Sequence, residues 1–320
     1  MSVELAVAWR GMGWAGVSPG DRQVRFWGLP HRRVARIKAR LTDFVASRIR
    51  CSAFSFTDKD LARYHAQLSR FRPIYAYGYV SMLREFSEYM VSRGLSAPDS
   101  LKAVVATAEP LTDFDRREIE SAFGVRVYNE YGCGEVGTIA HECEHGSLHI
   151  NADSLIVETL RSDGSPCKTG ESGQIVVTDL HNFAMPVIRY ALEDYATCTI
   201  SKCRCGINLP ILESIQGREY DVLINKFGQR FHGEFFLYIF EDLKNSGVPV
   251  SGVRVTQTSP DKVDLEIVSS NSESVDRVGD VFRKKLRQSF SDTVQVDVSE
   301  VKHIEREASG KMRVIRRRDF

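Results

Sequence analysis

"KAVVATAEPLTDFDRREIESAFGVRVYNEYGCGE", residues 102 to 135, decides the fold. "KAVVAT" is a short apolar run and reads as a buried strand. "LTDFDRREIESAFG" reads as a helix capped by Thr112 and stopped at Gly124. Val125 and Val127 then alternate with Arg126 and Tyr128 and begin a second strand, "VRVYNEYG". A strand, a helix and a strand within roughly thirty residues form a βαβ unit, which pairs its strands in parallel and makes this part α/β. Such sheets place ligands beyond the carboxyl ends of their strands. Both strands here run into turns of small residues, "ATAEP" (106 to 110) and "YGCGE" (131 to 135), where a flat ring can approach the backbone. Glu135 closes the second turn as an acid with no basic residue beside it.

The rest of the chain frames this unit. Its 320 residues suggest about two domains. A net charge of +1 implies no nucleic-acid or acidic-membrane partner. No apolar run approaches the ~18 residues of a membrane span. The N-terminus lacks the basic start and apolar stretch of a signal peptide. Seven cysteines, an odd number, do not read as a secreted disulfide framework, so a cytoplasmic location is expected.

Upstream, Val3, Ala6 and Trp9 have helical spacing, "QVRFWG" reads as a strand, and "TDKDLARYHAQLSRFRP" reads as a helix capped by Thr57 with Asp60 three residues on. From residue 148 the chain turns strand-rich. The turn "QGREYD" (216 to 221) leads into a small α+β pattern. The strands "SGVRVTQT" and "KVDLEIV" precede a charged helix from Glu273 to Phe290, then the strand "VQVDVSEV" and a basic tail. The expected division is 1–217 and 218–320.

Three further pieces bear on chemistry. "RYALED" places Asp194 near the end of a strand, where a carboxylate suits two ribose hydroxyls. Arg218 lies in the glycine-arginine turn, and "SGKMR" puts Lys311 on a glycine turn far along the chain. The order "AEP", "YNEYGxxE", "RYxxxD", "GR", then a small domain ending in "SGKxxR", resembles the adenylate-forming superfamily of acyl- and aryl-CoA ligases. Within it, "AHECEHGSLHI" and the "C-x-C-G…P" run are most similar to the phenylacetate-CoA ligase branch and its CapK-like and coenzyme F390 synthetase-like members, found among polysaccharide-biosynthesis proteins.

The resemblance implies a large nucleotide- and acid-binding domain followed by a small lid domain. It implies ATP, Mg²⁺ and CoA, with a small carboxylic acid as substrate and a thiol, amine or hydroxyl as acceptor. Ala106, Thr107, Ala108 and Glu109 would line the adenine pocket. Tyr131, followed by Gly132, would lie against the purine face, with Asn129 and Glu130 near its edge. Glu135 would hold Mg²⁺ on the ATP phosphates, Asp194 would grip the ribose, and Arg218 would approach ribose and phosphate. Tyr220 and Asp221 would form the hinge, and Lys311 would reach the carboxylate and the α-phosphate. The acid pocket would include "YAYGYVSML" (75 to 83), although those tyrosines, like His181 and Phe183, read by default as core. AMP transfer to a hydroxyl acceptor is the first rival activity. The family has a hydroxyl residue where Gly134 stands. Its Ser/Thr/Gly-rich phosphate loop precedes the helix at which this sequence opens, so an N-terminally incomplete chain is expected, and a non-catalytic remnant is the second rival. A homodimer is left open.

A second constellation lies in "HECEHGSLHI" and "SKCRCGINLP". Paired Cys and His in turn-rich segments suit a closed, structural Zn²⁺ site of Cys143, His149, Cys203 and Cys205, with His145 as the fallback nitrogen ligand. The competing reading is a set of reduced thiols on neighbouring loops. Cys51, Cys133, Cys167 and Cys198 read as ordinary.

Overall fold

The structure is a computed structural model that describes residues 3–28, 33–53, 56–199, 202–216, 223–231, 235–236, 239–240, 243, 248, 252–269, 272–304 and 314–318. Two compact units divide the chain. The first is Met1–Phe26, Arg32–Cys51 and Tyr64–Gly217; the second is Trp27–His31, Ser52–Arg63 and Arg218–Phe320. Segments 27–31 and 52–63, which lie within the first expected domain, group with the second unit.

The first unit is built on an eleven-stranded sheet. In chain order the described elements up to residue 216 are α1 (Val3–Trp14), β1 (Gln23–Trp27), α2 (Arg33–Val45), β2 (Arg48–Ser52), α3 (Asp58–Phe71), whose first half belongs to the second unit, β3 (Tyr75–Tyr79), α4 (Val80–Ser92), β4 (Ala103–Thr107), α5 (Asp113–Phe123), β5 (Val127–Cys133), β6 (Gly137–Glu142), β7 (Leu148–Ile150), β8 (Leu155–Leu160), β9 (Ser172–Asp179), β10 (Tyr190–Thr199) and β11 (Ile211–Gln216). The spatial order is β2-β1-β3-β4-β5-β6-β7-β11-β10-β9-β8. Pairing is parallel from β1 through β3 and β4 to β5, and antiparallel from β5 through to β8.

The expected βαβ unit is present. β4 is buried at all five positions and pairs in parallel with β5, with Ala106 opposite Asn129 and Thr107 opposite Glu130. Thr112 caps α5 by accepting the Asp115 N–H, and Gly124 ends it at φ +68°, a left-handed conformation that glycine adopts without a Cβ penalty. The Thr57 cap also forms, its hydroxyl and amide both meeting the Asp60 carboxylate. Helix α1 lies against β6. Helix α2 turns Ile37, Leu41, Phe44 and Val45 to the surface and is tied down by Asp43, whose carboxylate pairs with Arg50 at 2.8 Å.

The acid-pocket stretch 75 to 83 splits between β3 and the start of α4. Tyr75 and Tyr79 are buried, as the core reading holds. Phe183, by contrast, is 84% exposed and belongs to no core: it sits in the segment between β9 and β10.

The second unit holds a four-stranded sheet ordered β16 (Gln295–Glu300), β15 (Lys262–Val268), β14 (Gly252–Ser259), β17 (Ile315–Arg317), with α6 (Ser272–Ser289) running between β15 and β16 in sequence. The ribbon β12 (Leu223–Ile224) and β13 (Arg230–Phe231) precedes it. The two expected strands, β14 and β15, pair as an antiparallel hairpin, and β15 pairs with β16 in parallel after the α6 crossover. Its core is aromatic: Phe231 and Phe236 meet Phe290, and Phe240 stacks on Phe282 with ring centroids 5.1 Å apart. No described helix is long and apolar enough to cross a membrane.

Candidate functional site

The two turns singled out in the sequence stand side by side because β4 and β5 are parallel neighbours. Ala108, at the end of β4, has φ +67°, a conformation L-residues rarely adopt. Backbone strain of this kind collects at functional turns and is held by its surroundings. The carboxylate of Glu109 accepts the Ser81 N–H at 2.7 Å, so it caps the start of α4. At Gly132 an added Cβ would meet the Gly137 carbonyl oxygen at 2.5 Å, so only glycine lets β5 close on β6 there.

Asp194 comes from β10, yet its carboxylate accepts the Tyr131 hydroxyl at 2.9 Å. The exposed carboxylate of Glu135 accepts the Tyr190 hydroxyl at 3.1 Å. Segments 63 and 55 residues apart in sequence therefore converge on one edge, Tyr131 with Asp194 and Glu135 with Tyr190, beside the turn that carries Ala108. Tyr190 was not singled out from sequence, although it lies in the quoted "RYALED" motif. Asn129 is fixed from below: Glu142, pinned by Arg116 at 2.7 Å and Arg126 at 3.3 Å, accepts its backbone N–H at 2.9 Å. Arg218, Tyr220, Asp221 and Lys311 lie outside the described residues.

Glu130 is placed differently from its expected position at the purine edge. Successive strand residues face opposite sides, and Glu130 points away from the side Tyr131 takes. Its carboxylate is buried, accepting the Tyr77 hydroxyl at 2.7 Å and the Thr107 hydroxyl at 3.3 Å, with His141 Nε2 at 3.7 Å. Burial, reinforced by Arg10 and opposed by Glu130, holds His141 below its usual pKa. The folded chain then resists a proton that the unfolded chain takes near pH ~6.5. The stability held by neutral His141 is therefore complete above that pH and is lost as pH falls through it. We expect thermal stability between pH 7.5 and 5.5 to fall more steeply in the parent than in His141→Gln. The limit for one group is about 1.4 kcal/mol per pH unit; parallel curves would contradict this.

The Cys and His segments do meet. The ligand atoms of Cys143, His149, Cys203 and Cys205 all lie within 4.8 Å of one another. Cys143 Sγ is 3.6 Å from Cys203 Sγ, and Cys205 Sγ is 3.3 Å from His149 Nε2. Tetrahedral bonds of about 2.3 Å to sulfur imply edges of about 3.8 Å, so the spacing suits zinc. His149 is fully buried, and its Nδ1–H donates to the Leu209 carbonyl at 3.1 Å, which leaves Nε2 as a lone pair facing the thiols. Burial opposes ionisation of Cys203, but hydrogen bonds involving Ser147, Cys205 and His149 bring its thiol down to about 6. Burial and the neighbouring Cys203 and Cys143 sulfurs push Cys205 up to about 11. One thiolate is thus favoured before any cation arrives. His145 stays exposed beside Glu144 and is outside the set. Cys51, Cys133 and Cys167 form no disulfide and take no part in the set.

The CapK C-terminal domain family matches residues 223–318. A phenylacetate-coenzyme A ligase of Thermus thermophilus is 33% identical over 150 residues, covering 45% of this chain and 34% of that protein. Protein CapK of Staphylococcus aureus is 26% identical over 186 residues, covering 56% and 39%. The chain's matches therefore span little more than a third of these curated relatives. A 2-hydroxyisobutyryl-CoA ligase in complex with its acyl-AMP and CoA superposes with a TM-score of 0.58 at 19% identity, covering 98% of this chain and 70% of that one. Residues 223–318 thus match the CapK C-terminal domain, part of the chain is similar to phenylacetate-coenzyme A ligases and CapK, and the fold is that of the adenylate-forming CoA ligases.

Proposed function

We propose that the protein activates a carboxylic acid with ATP and passes the acyl group to CoA or another nucleophile. The carrying observation is the Tyr131–Asp194 hydrogen bond at 2.9 Å, which joins a ring suited to a purine and a carboxylate suited to a ribose. The named activities of the relatives support the same reading. In it, the first unit holds nucleotide and acid, and the second is the lid that carries Lys311.

The acid's carboxylate oxygen attacks the α-phosphorus, the bond to pyrophosphate breaks, and an acyl-adenylate remains. A thiolate then attacks the acyl carbon and AMP leaves. The first step brings two anions together, so cationic clamping counts for more than a general base. Glu135, an exposed acid steadied by Tyr190, is the residue that would hold Mg²⁺, which supplies charge neutralisation on the phosphates. Tyr131 orients the base, and the small side chains of Ala106 and Ala108 leave room beside it. The Cys143, His149, Cys203 and Cys205 set would hold a structural Zn²⁺, because four protein ligands leave no open position for substrate.

The test is ATP–pyrophosphate exchange with a panel of carboxylic acids, phenylacetate first. We expect exchange that depends on an added acid and on Mg²⁺. ATP binding without exchange for any acid would overturn the reading. Mass spectrometry of the product separates an acyl thioester from an adenylylated hydroxyl.

A further inference from the structure

The buried side chains beneath the nucleotide edge form a single row. Backbone register sets Thr107 opposite Glu130, Glu130 opposite His141, and His141 opposite His149, across β4, β5, β6 and β7. Residues in register share a face of the sheet. All four are less than a tenth exposed. A run of polar and ionisable groups across four strands of a buried face is costly unless its members satisfy one another.

They largely do. Glu130 gathers the hydroxyls of Tyr77 and Thr107 on one oxygen and faces His141 with the other. Burial, with the Glu130 charge beside it, raises the Tyr77 pKa well above its usual value, so Tyr77 remains a donor. The Arg25 guanidinium lies 4.9 Å over the Tyr77 ring. Helix α1 covers the row on the face of the sheet away from Tyr131. At Gly11 an added Cβ would lie 2.1 Å from the His141 ring, and Trp14 is edge-on to both His141 and His149, with centroids at 6.4 and 5.7 Å. The row therefore begins in the turn proposed for adenine, passes under Tyr131 and ends at a ligand of the Cys/His set.

We infer that Tyr77, Glu130 and His141 are positioning residues, which fix the end of β5 so that Tyr131 meets both the nucleotide base and Asp194. The inference rests on the nucleotide reading above. None of the three touches the ligand. They act through the backbone of residues 129–132, whose opposite face carries Tyr131. A two-point grip on Glu130 from β3 and β4 sets the strand's height, and His141 sets it from β6.

The test uses Tyr77→Phe, which keeps the ring beneath Arg25 and deletes one donor to a buried carboxylate, and His141→Gln as a second variant. ATP affinity is measured by titration calorimetry with Mg²⁺, the stoichiometry reporting the folded fraction. Amide hydrogen exchange is followed by peptide in the same samples. We expect the ATP Kd to rise about tenfold at unchanged stoichiometry, and exchange to quicken in the peptide spanning 129–132 but not in β8 and β9. Chelation of metal from the parent protein should quicken the same peptide. Unchanged Kd with unchanged exchange at 129–132, or exchange that quickens equally across the sheet, overturns the inference. If the parent itself binds no ATP, the nucleotide reading fails on its own, and selective exchange at 129–132 still decides whether the row holds this strand end.

Discussion

Stripping metal from the purified protein will lower its thermal midpoint by roughly 10 °C, and Cys203→Ser will reproduce the loss with the metal present. The size follows from where the four ligands sit. Cys143 follows β6, His149 is in β7, and Cys203 and Cys205 lie between β10 and β11. β7 is three residues long and meets β11 through two register pairs, His149 with Ile211 and Leu148 with Leu212. That short ladder is the junction between the β5 side of the sheet and the antiparallel ribbon β11-β10-β9-β8. A cation bridging it ties together what few backbone bonds hold, and its binding energy is folding energy. A loss of about 3–5 kcal/mol corresponds to roughly 10 °C for a unit of about 200 residues. Elemental analysis of protein purified without a histidine tag should give about one equivalent of zinc, absent in Cys203→Ser and retained in Cys167→Ser. Metal-free protein with unchanged stability would leave the set as reduced thiols.

The sequence was most legible where local chemistry and tertiary structure agree. The β4–α5–β5 unit could be read because each piece carries its own signal: the apolar run of 103–107, the Thr112 cap and the Gly124 stop. Helix α4 went unread for a physical reason. Its N-cap is Tyr79, which makes no side-chain cap, and its first turn holds no acid. The capping carboxylate comes from Glu109, 28 residues on in sequence. The helix is signalled only by its buried Met82, Leu83, Phe86 and Met90, and the tyrosines before them obscure that pattern. The side Glu130 faces could have been read from strand alternation, since a ring on one face puts its neighbour on the other. The Cys/His set was legible as paired ligands in turns, whereas the contact of Tyr131 with Asp194 depends on a strand order that local sequence does not encode.

Lys311→Ala is expected to reduce acid-dependent ATP–pyrophosphate exchange by a hundredfold or more, while thioester formation from a supplied acyl-adenylate stays within about twofold. Position 311 falls in the stretch matched by the CapK C-terminal domain, within the sequence "SGKMR". In the adenylation step the incoming carboxylate and the α-phosphate both carry negative charge, and the transition state crowds them together. A compact ammonium on a long stem can sit between them, and in a water-poor site one such contact contributes about 3–4 kcal/mol. That figure corresponds to roughly two to three orders of magnitude in rate. The second step presents a different charge problem. A thiolate attacks a neutral acyl carbon and AMP departs with its charge already in place, so little is gained from a cation at the site of first attack. Lys311→Arg should recover only part of the exchange, because a planar guanidinium does not replace a point charge. An equal fall in both half-reactions would mean that Lys311 supports the folded lid or the nucleotide generally. A fall in neither would remove it from the chemistry.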